Sequence, residues 1–129
     1  VYSEFSDLHQ NLRGLHWNIK GKNFFDLHLK FEEFYTDSQV KIDEIVERIL
    51  TLQGKPLKLY PNSSVPVGKE ISNDEQAVKL VVTSLSELLK IERVILSLSD
   101  ELEDEGTNSM MNYFIAAQEK TIWMLKILG

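Results

Sequence analysis

The sequence predicts an all-α fold: four helices in one domain, with a single long crossover between the second and the third. Three observations carry that prediction. Apolar residues recur at three- and four-residue steps in every long segment. All three prolines, Pro56, Pro61 and Pro66, fall between Gly54 and Gly68. No stretch alternates polar and apolar residues as a half-buried strand would.

The first helix is read from Phe5, Leu8, Leu12, Leu15 and Ile19, which form one apolar stripe. Lys20-Gly21-Lys22-Asn23 stops it: Gly21 suits a left-handed C-terminal position and Asn23 a following N-cap. The second helix carries Phe24, Leu27, Phe31, Phe34, Tyr35, Ile42, Ile45, Ile49 and Leu52 up to Gly54. Neither Gly nor Pro interrupts it over about thirty residues, for a length of roughly 45 Å.

Ser72-x-x-Glu75 reads as a capping box that opens the third helix. Its stripe is Ala77, Leu80, Val81, Leu85, Leu88, Ile91, Ile95, Leu98 and Leu102, and Gly106 is expected to end it. Thr107 or Asn108 then caps a fourth helix lined by Met110, Met111, Phe114, Ile115, Ile122, Leu125 and Leu128. The two hairpins have tight turns. The central connection, about nineteen extended residues, reaches ~60 Å, enough to return along a helix and set the third parallel to the second. A connection this long usually carries structure of its own. Leu57–Val65 is therefore expected to hold a short helix or to pack on a partner.

With 129 residues the chain fits one domain, 1–129. Apolar residues make up 43%, enough for a core. The absence of cysteine excludes a disulfide scaffold and a thiolate metal site, and suits a reducing compartment. Fourteen basic against twenty acidic residues give a net charge of −6, a poor phosphate binder. No apolar run approaches the ~18 residues a membrane span needs. The chain begins at Val1 rather than at methionine, so a preceding N-terminal segment is expected.

Two of the three histidines are informatively placed. His16 lies near the end of the first helix and His28 near the start of the second, equidistant from Lys22. An antiparallel hairpin puts them at one level. Glu32 lies one turn after His28 on the same face, so the three can converge as a nitrogen and oxygen ligand set suited to Fe(II) or Zn(II). Asp43 and Glu47 form a second i,i+4 pair, ~22 Å farther along the same helix. One straight helix cannot bring both clusters to one ion. Two copies can: an antiparallel pairing about a two-fold near residues 37 and 38 sets His28 opposite Glu47 and Glu32 opposite Asp43. Taken alone, Asp43 and Glu47 read as part of a solvated face, since Lys41, Glu44 and Arg48 are charged neighbours, and a single histidine reads as a hydrogen-bonded core or surface residue. The joint register favours a metal centre.

Other residues have plainer readings. His9 is expected to be hydrogen-bonded, Trp17 to pack in a core or interface, and Trp123, Phe114, Met110 and Met111 to be core. Asp100-Glu101-Leu102-Glu103-Asp104-Glu105 reads as a solvated helix end, or as a cation-attracting surface. No phosphate loop, HExxH motif or Ser-His-Asp order is present.

The stretch His16-Trp17-Asn18-Ile19-Lys20-Gly21-Lys22-Asn23-Phe24-Phe25-Asp26-Leu27-His28 resembles the Dps mini-ferritin family. So do Phe31-Glu32-Glu33-Phe34-Tyr35, Ile42-Asp43-Glu44-Ile45-Val46-Glu47-Arg48-Ile49, Asp104-Glu105-Gly106-Thr107 and Glu119-Lys120-Thr121-Ile122-Trp123-Met124. The resemblance spans nearly the whole chain and implies a ferritin-like four-helix subunit. It implies a hollow dodecamer built from two-fold dimers, with iron centres between subunits. By resemblance His16, His28 and Glu32 come from one subunit and Asp43 and Glu47 from its partner. Glu32 stands where the family commonly has aspartate. The chain has no Glu-x-x-His pair of the kind intrasubunit di-iron bundles use. The implied activity is a ferroxidase that oxidises Fe(II), preferably with hydrogen peroxide, and stores ferric oxide in a cytoplasmic shell, protecting against oxidative damage. Trp17 beside a ligand can quench radicals. Asp104 and Glu105 match the family's acidic entry pores, although Ser109 stands where many relatives have another acid. DNA binding in the family depends on a basic tail, and none is expected here. The contrasting readings are a helical-bundle DNA-compaction or interaction protein with structural histidines, and a zinc-binding bundle without turnover.

Overall fold

A computed structural model describes residues 2–55 and 73–128. It contains α1 (Tyr2–Asn18), α2 (Phe24–Thr51), α3 (Asp74–Glu101) and α4 (Glu105–Leu128), with no strand among the described residues. The expected short helix in Leu57–Val65 lies outside them. No helix among the described residues is long and apolar enough to cross a membrane.

α1 and α2 form one antiparallel hairpin and α3 and α4 the other. The relative direction of the two hairpins follows from their ends. Gly21, just before α2, lies against Asp74 at the start of α3. Arg48, near the end of α2, reaches Asp104, just past the end of α3. Helices α2 and α3 are therefore parallel, as the long crossover requires.

The core is the set of stripes read from the periodicity. Phe5, Leu8, Leu12, Leu15 and Ile19 of the first stripe are all buried, against Leu27, Phe31, Ile45, Ala77, Val81, Leu85, Leu88, Met111, Phe114 and Leu125. Phe5 meets Phe114 edge-on at 5.7 Å between ring centres, a geometry that favours the pair beyond its buried area.

The structure departs from the expected periodicity at its edges. Leu52, Leu98 and Leu102 continue the stripes in sequence but are exposed, Leu102 by 78%. Trp123 is exposed as well, by 60%, and is not core. A helical repeat shows where apolar residues align, not whether another element of the same chain covers them.

The caps also shift. Helix α3 is capped by Asn73, not Ser72: its side-chain oxygen accepts from the Gln76 N–H at 3.1 Å, a bond an asparagine at this position makes as well as a serine. Gly106 does not end α3 but sits in the first turn of α4. The cap of α4 is Asp104 rather than Thr107 or Asn108, with its carboxylate accepting from the Thr107 N–H and hydroxyl. Both long helices close with the same six-to-one turn. Gly54 N–H bonds to Ile49 and Asp104 N–H to Ser99, while Gln53 (φ 66°) and Glu103 (φ 56°) take the left-handed position usually given to glycine.

Candidate metal centre

The turn between α1 and α2 is short because Gly21 adopts φ +124°. A side chain there would also press on the Asp74 carboxylate, 3.1 Å from an added Cβ. Asn23 precedes α2 as expected, although it caps through its backbone carbonyl, which accepts from Leu27, and not through its side chain. The tight turn sets His16 and His28 side by side.

The two histidines clasp each other. His16 Nδ1 donates to the His28 carbonyl and His28 Nδ1 donates to the His16 carbonyl, both at 2.6 Å. A carbonyl can only accept, so both Nδ1 atoms carry hydrogen. In the neutral rings the lone pairs then reside on Nε2, the arrangement of a metal-ligating histidine oriented by its other nitrogen. The rings stack at 3.7 Å with 14° between planes. Phe24 stacks on His28 at 4.9 Å and Tyr35 meets His16 edge-on at 5.5 Å, so neighbouring rings hold the pair in place. His16 is buried and His28 half-buried. His9, by contrast, spends its Nδ1 on the Tyr35 carbonyl at 2.8 Å and belongs to the packing.

The three acids face outward. Glu32, Asp43 and Glu47 are exposed on α2, and so are Phe25, Leu29, Thr36, Val40 and Leu50. Read along the helix, positions 25, 29, 32, 36, 40, 43, 47 and 50 advance by three or four, so they share one face. That face mixes three carboxylates with four large apolar side chains, Phe25 being 84% exposed. Among the described residues, no three His, Asp or Glu side chains of a single chain converge to hold a metal. The structure thus joins His16 to His28, leaves Glu32 one turn away and leaves Asp43 and Glu47 far along the helix.

Arg48, the charged neighbour of Glu47, has a structural role that its sequence position does not reveal. It donates from Nη2 to Asp104 at 2.6 Å and from Nε to Thr107 at 3.1 Å. It lies directly over Gly106, where an added Cβ would come within 2.5 Å of Nη2. Hydrogen bonds from Thr107, with help from Arg48, hold the Asp104 carboxyl below the usual aspartate range. Asp104 is thereby committed to the cap, while Glu105 is exposed. The spacing Asp104-x-x-Thr107 is the local signal that marks this cap. Trp17 is 64% exposed, with the Arg13 guanidinium 5.4 Å from its ring centre, and does not join the core.

Four helices with parallel α2 and α3 and an outward row of carboxylates define a ferritin-like subunit, and a family model described as a ferritin-like domain matches residues 3–128. Within that class the chain belongs to the Dps family. It is 40% identical over 121 residues to the DNA protection during starvation protein of Porphyromonas gingivalis, covering 91% of this chain and 76% of the relative. The crystal structure of a Vibrio cholerae Dps, described as a member of the ferritin-like diiron-carboxylate superfamily, superposes with a TM-score of 0.95. It is 40% identical, over 98% of this chain and 82% of that one. A Listeria innocua Dps, solved with two histidines twelve positions apart both changed to glycine, superposes with a TM-score of 0.93 at 26% identity, over 98% of this chain and 88% of that one. His16 and His28 have the same separation.

Proposed function

We propose that the protein is a ferroxidase and iron-storage subunit whose active centre is completed between two copies. The observation that carries the reading is the histidine clasp: two imidazoles, both with Nδ1 committed to a carbonyl, beside a helix face that carries acids and uncovered apolar side chains. Four exposed large apolar residues in one row are the mark of a surface meant to be covered. Pairing α2 with a second α2 about a two-fold near residues 37 and 38 covers it. The same pairing sets Glu47 of one copy opposite His28 of the other and Asp43 opposite Glu32. Two identical centres result.

Fe(II) is the substrate. His16 and His28 would hold it through Nε2, with Glu32 from the same chain and Asp43 and Glu47 from the second. Such a set tolerates both oxidation states of iron. Two Fe(II) ions give up one electron each to hydrogen peroxide. Its O–O bond breaks, and the two oxygens leave as water after taking up two protons. No hydroxyl radical is released, because both electrons are delivered together. Fe(III) then hydrolyses and is stored in the cavity of a closed shell of two-fold dimers, the dodecamer that Dps membership suggests. A reducing cytoplasm supplies the ferrous ion. The acidic chain (net −6) attracts cations and gives no electrostatic drive toward DNA.

Complementation tests the division of the centre. Combine a chain lacking both imidazoles (H16A/H28A) with one lacking both acids (D43N/E47Q). Each homodimer has two broken centres, whereas a mixed dimer has one broken and one intact. An equal mixture reassembled from subunits should recover about a quarter of wild-type oxidation rate. No recovery, with mixed dimers present by mass, refutes a centre shared in this way.

A further inference from the structure

Polar contacts of unequal burial fasten α3 to α4. Near their turn, Asn108 Nδ2 donates to the Leu96 carbonyl and to the Ser99 hydroxyl, both at 3.2 Å. On the surface, Arg93 pairs with Glu119 at 2.9 Å, both half exposed, where an ion pair holds little. In the core, Gln118 Nε2 donates to Glu92 Oε2 at 3.0 Å. This last contact is buried on both sides, with Glu92 at 0% and Gln118 at 2% exposure.

The buried contact is incomplete. Glu92 Oε1 and Gln118 Oε1 are both buried and both without a hydrogen-bond partner. With Glu92 ionised both atoms are acceptors, and two acceptors cannot satisfy each other. Two bare oxygens in a core are costly. A single hydrogen removes both defects. Carried on Glu92 Oε1 and donated to Gln118 Oε1, it closes a two-bond ring between a carboxylic acid and a primary amide, beside the bond already present. The charges around the pair set where that hydrogen leaves. Burial raises the Glu92 carboxyl to about 7, against the Gln118 N–H of α4, Lys41 of α2, the amino end of the chain and Arg93 of its own helix.

We propose that Glu92 and Gln118 form a pH-sensitive latch between α3 and α4: a shared hydrogen closes the pair in the neutral acid, and its loss as pH rises through neutrality opens it. On opening, the O–H bond of Glu92 breaks and the proton passes to water. The carboxylate keeps the Gln118 N–H, while the amide oxygen loses its donor. The middle of the hairpin is then held less firmly than its ends. The latch does not depend on the ferroxidase reading.

Infrared difference spectra and amide hydrogen exchange, both on assembled protein, test the latch. At about pH 6, where exposed carboxyls are ionised, wild type should show a carboxylic-acid C=O band that E92Q lacks and that disappears by about pH 8.5. Exchange of the α4 amides around Gln118, corrected for the intrinsic rate, should quicken about tenfold over that interval, as for one lost buried hydrogen bond. E92Q, whose amide donates and accepts at every pH, should stay protected. E92M, neutral but unable to bond Gln118, should exchange at the faster rate throughout. A chain that folds as E92Q but not as E92M supports the proposal in the same way, because Gln118 then needs a bonded partner. A wild type without the band, or with a band that pH leaves unchanged, overturns it. So does E92Q loosening with pH as wild type does, or E92M as well protected as E92Q.

Discussion

The guanidinium of Arg48 donates to the Asp104 carboxylate at 2.6 Å and thereby fastens the C-terminal end of α2 to the first turn of α4. The arrangement uses two nitrogens of one rigid fork, Nε for Thr107 and Nη2 for Asp104, a geometry that the single nitrogen of a lysine does not reproduce.

Gly106 should tolerate no side chain while the anchor is in place. A methyl group there would lie 2.5 Å from Arg48 Nη2, so Gly106→Ala must displace the guanidinium or shift α4. The expected loss is about 1–3 kcal/mol, typical of an overpacked site, seen as a lower denaturation midpoint in urea. An unchanged midpoint would show that Arg48 moves freely.

Acid sensitivity follows from Asp104. Its carboxyl is held below the usual aspartate value by Thr107 and Arg48, so the folded state favours the charged form. That stabilisation is present above the ordinary aspartate value of 3.8 and is lost as pH falls through the lowered one. In Asp104→Asn the acid limb of the stability profile should flatten. Carbon-13 titration of the Asp104 carboxyl reads the same shift directly.

Glu92 acts in the opposite sense. Burial raises it from 4.5 to about 7, against the pull of Gln118 and Lys41. The native state therefore holds a proton that the unfolded chain has already released, and stability falls as pH rises from 4.5 to 7. The difference corresponds to about 3 kcal/mol across that window. Glu92→Gln, neutral throughout, should lose this slope; thermal unfolding at a series of pH values measures it.

Glu103 is the simplest position to improve. It holds φ 56° at the end of α3, a conformation that costs most residues but not glycine. Glu103→Gly should raise stability by roughly 0.5–1 kcal/mol, visible as a higher Tm.

The helices and the histidine register were readable because each depends on local spacing. His16 and His28 are symmetric about one short turn, and the stripe from Phe5 to Ile19 needs only the helical period. Direction, too, could be argued from the length of the crossover. What escaped depends on partners distant in sequence. Lys41 reads as a surface charge, yet it is buried, with its ammonium 5.5 Å from the centre of the Phe114 ring of α4. Leu102 and Trp123 read as core because a stripe does not reveal whether its own chain covers it. The caps at Asn73 and Asp104 lie one to four residues from their expected places, where several polar residues compete and only the final geometry chooses.

The crossed bonds between His16 and His28 make each ring the guardian of the other's main chain. Replace either one and a peptide oxygen near the turn loses a hydrogen bond, in addition to the missing side chain. The two positions therefore behave as one inherited unit. A descendant that abandons iron should shed both together, and an engineer moving this motif to a new scaffold must transplant the hairpin bend along with the imidazoles.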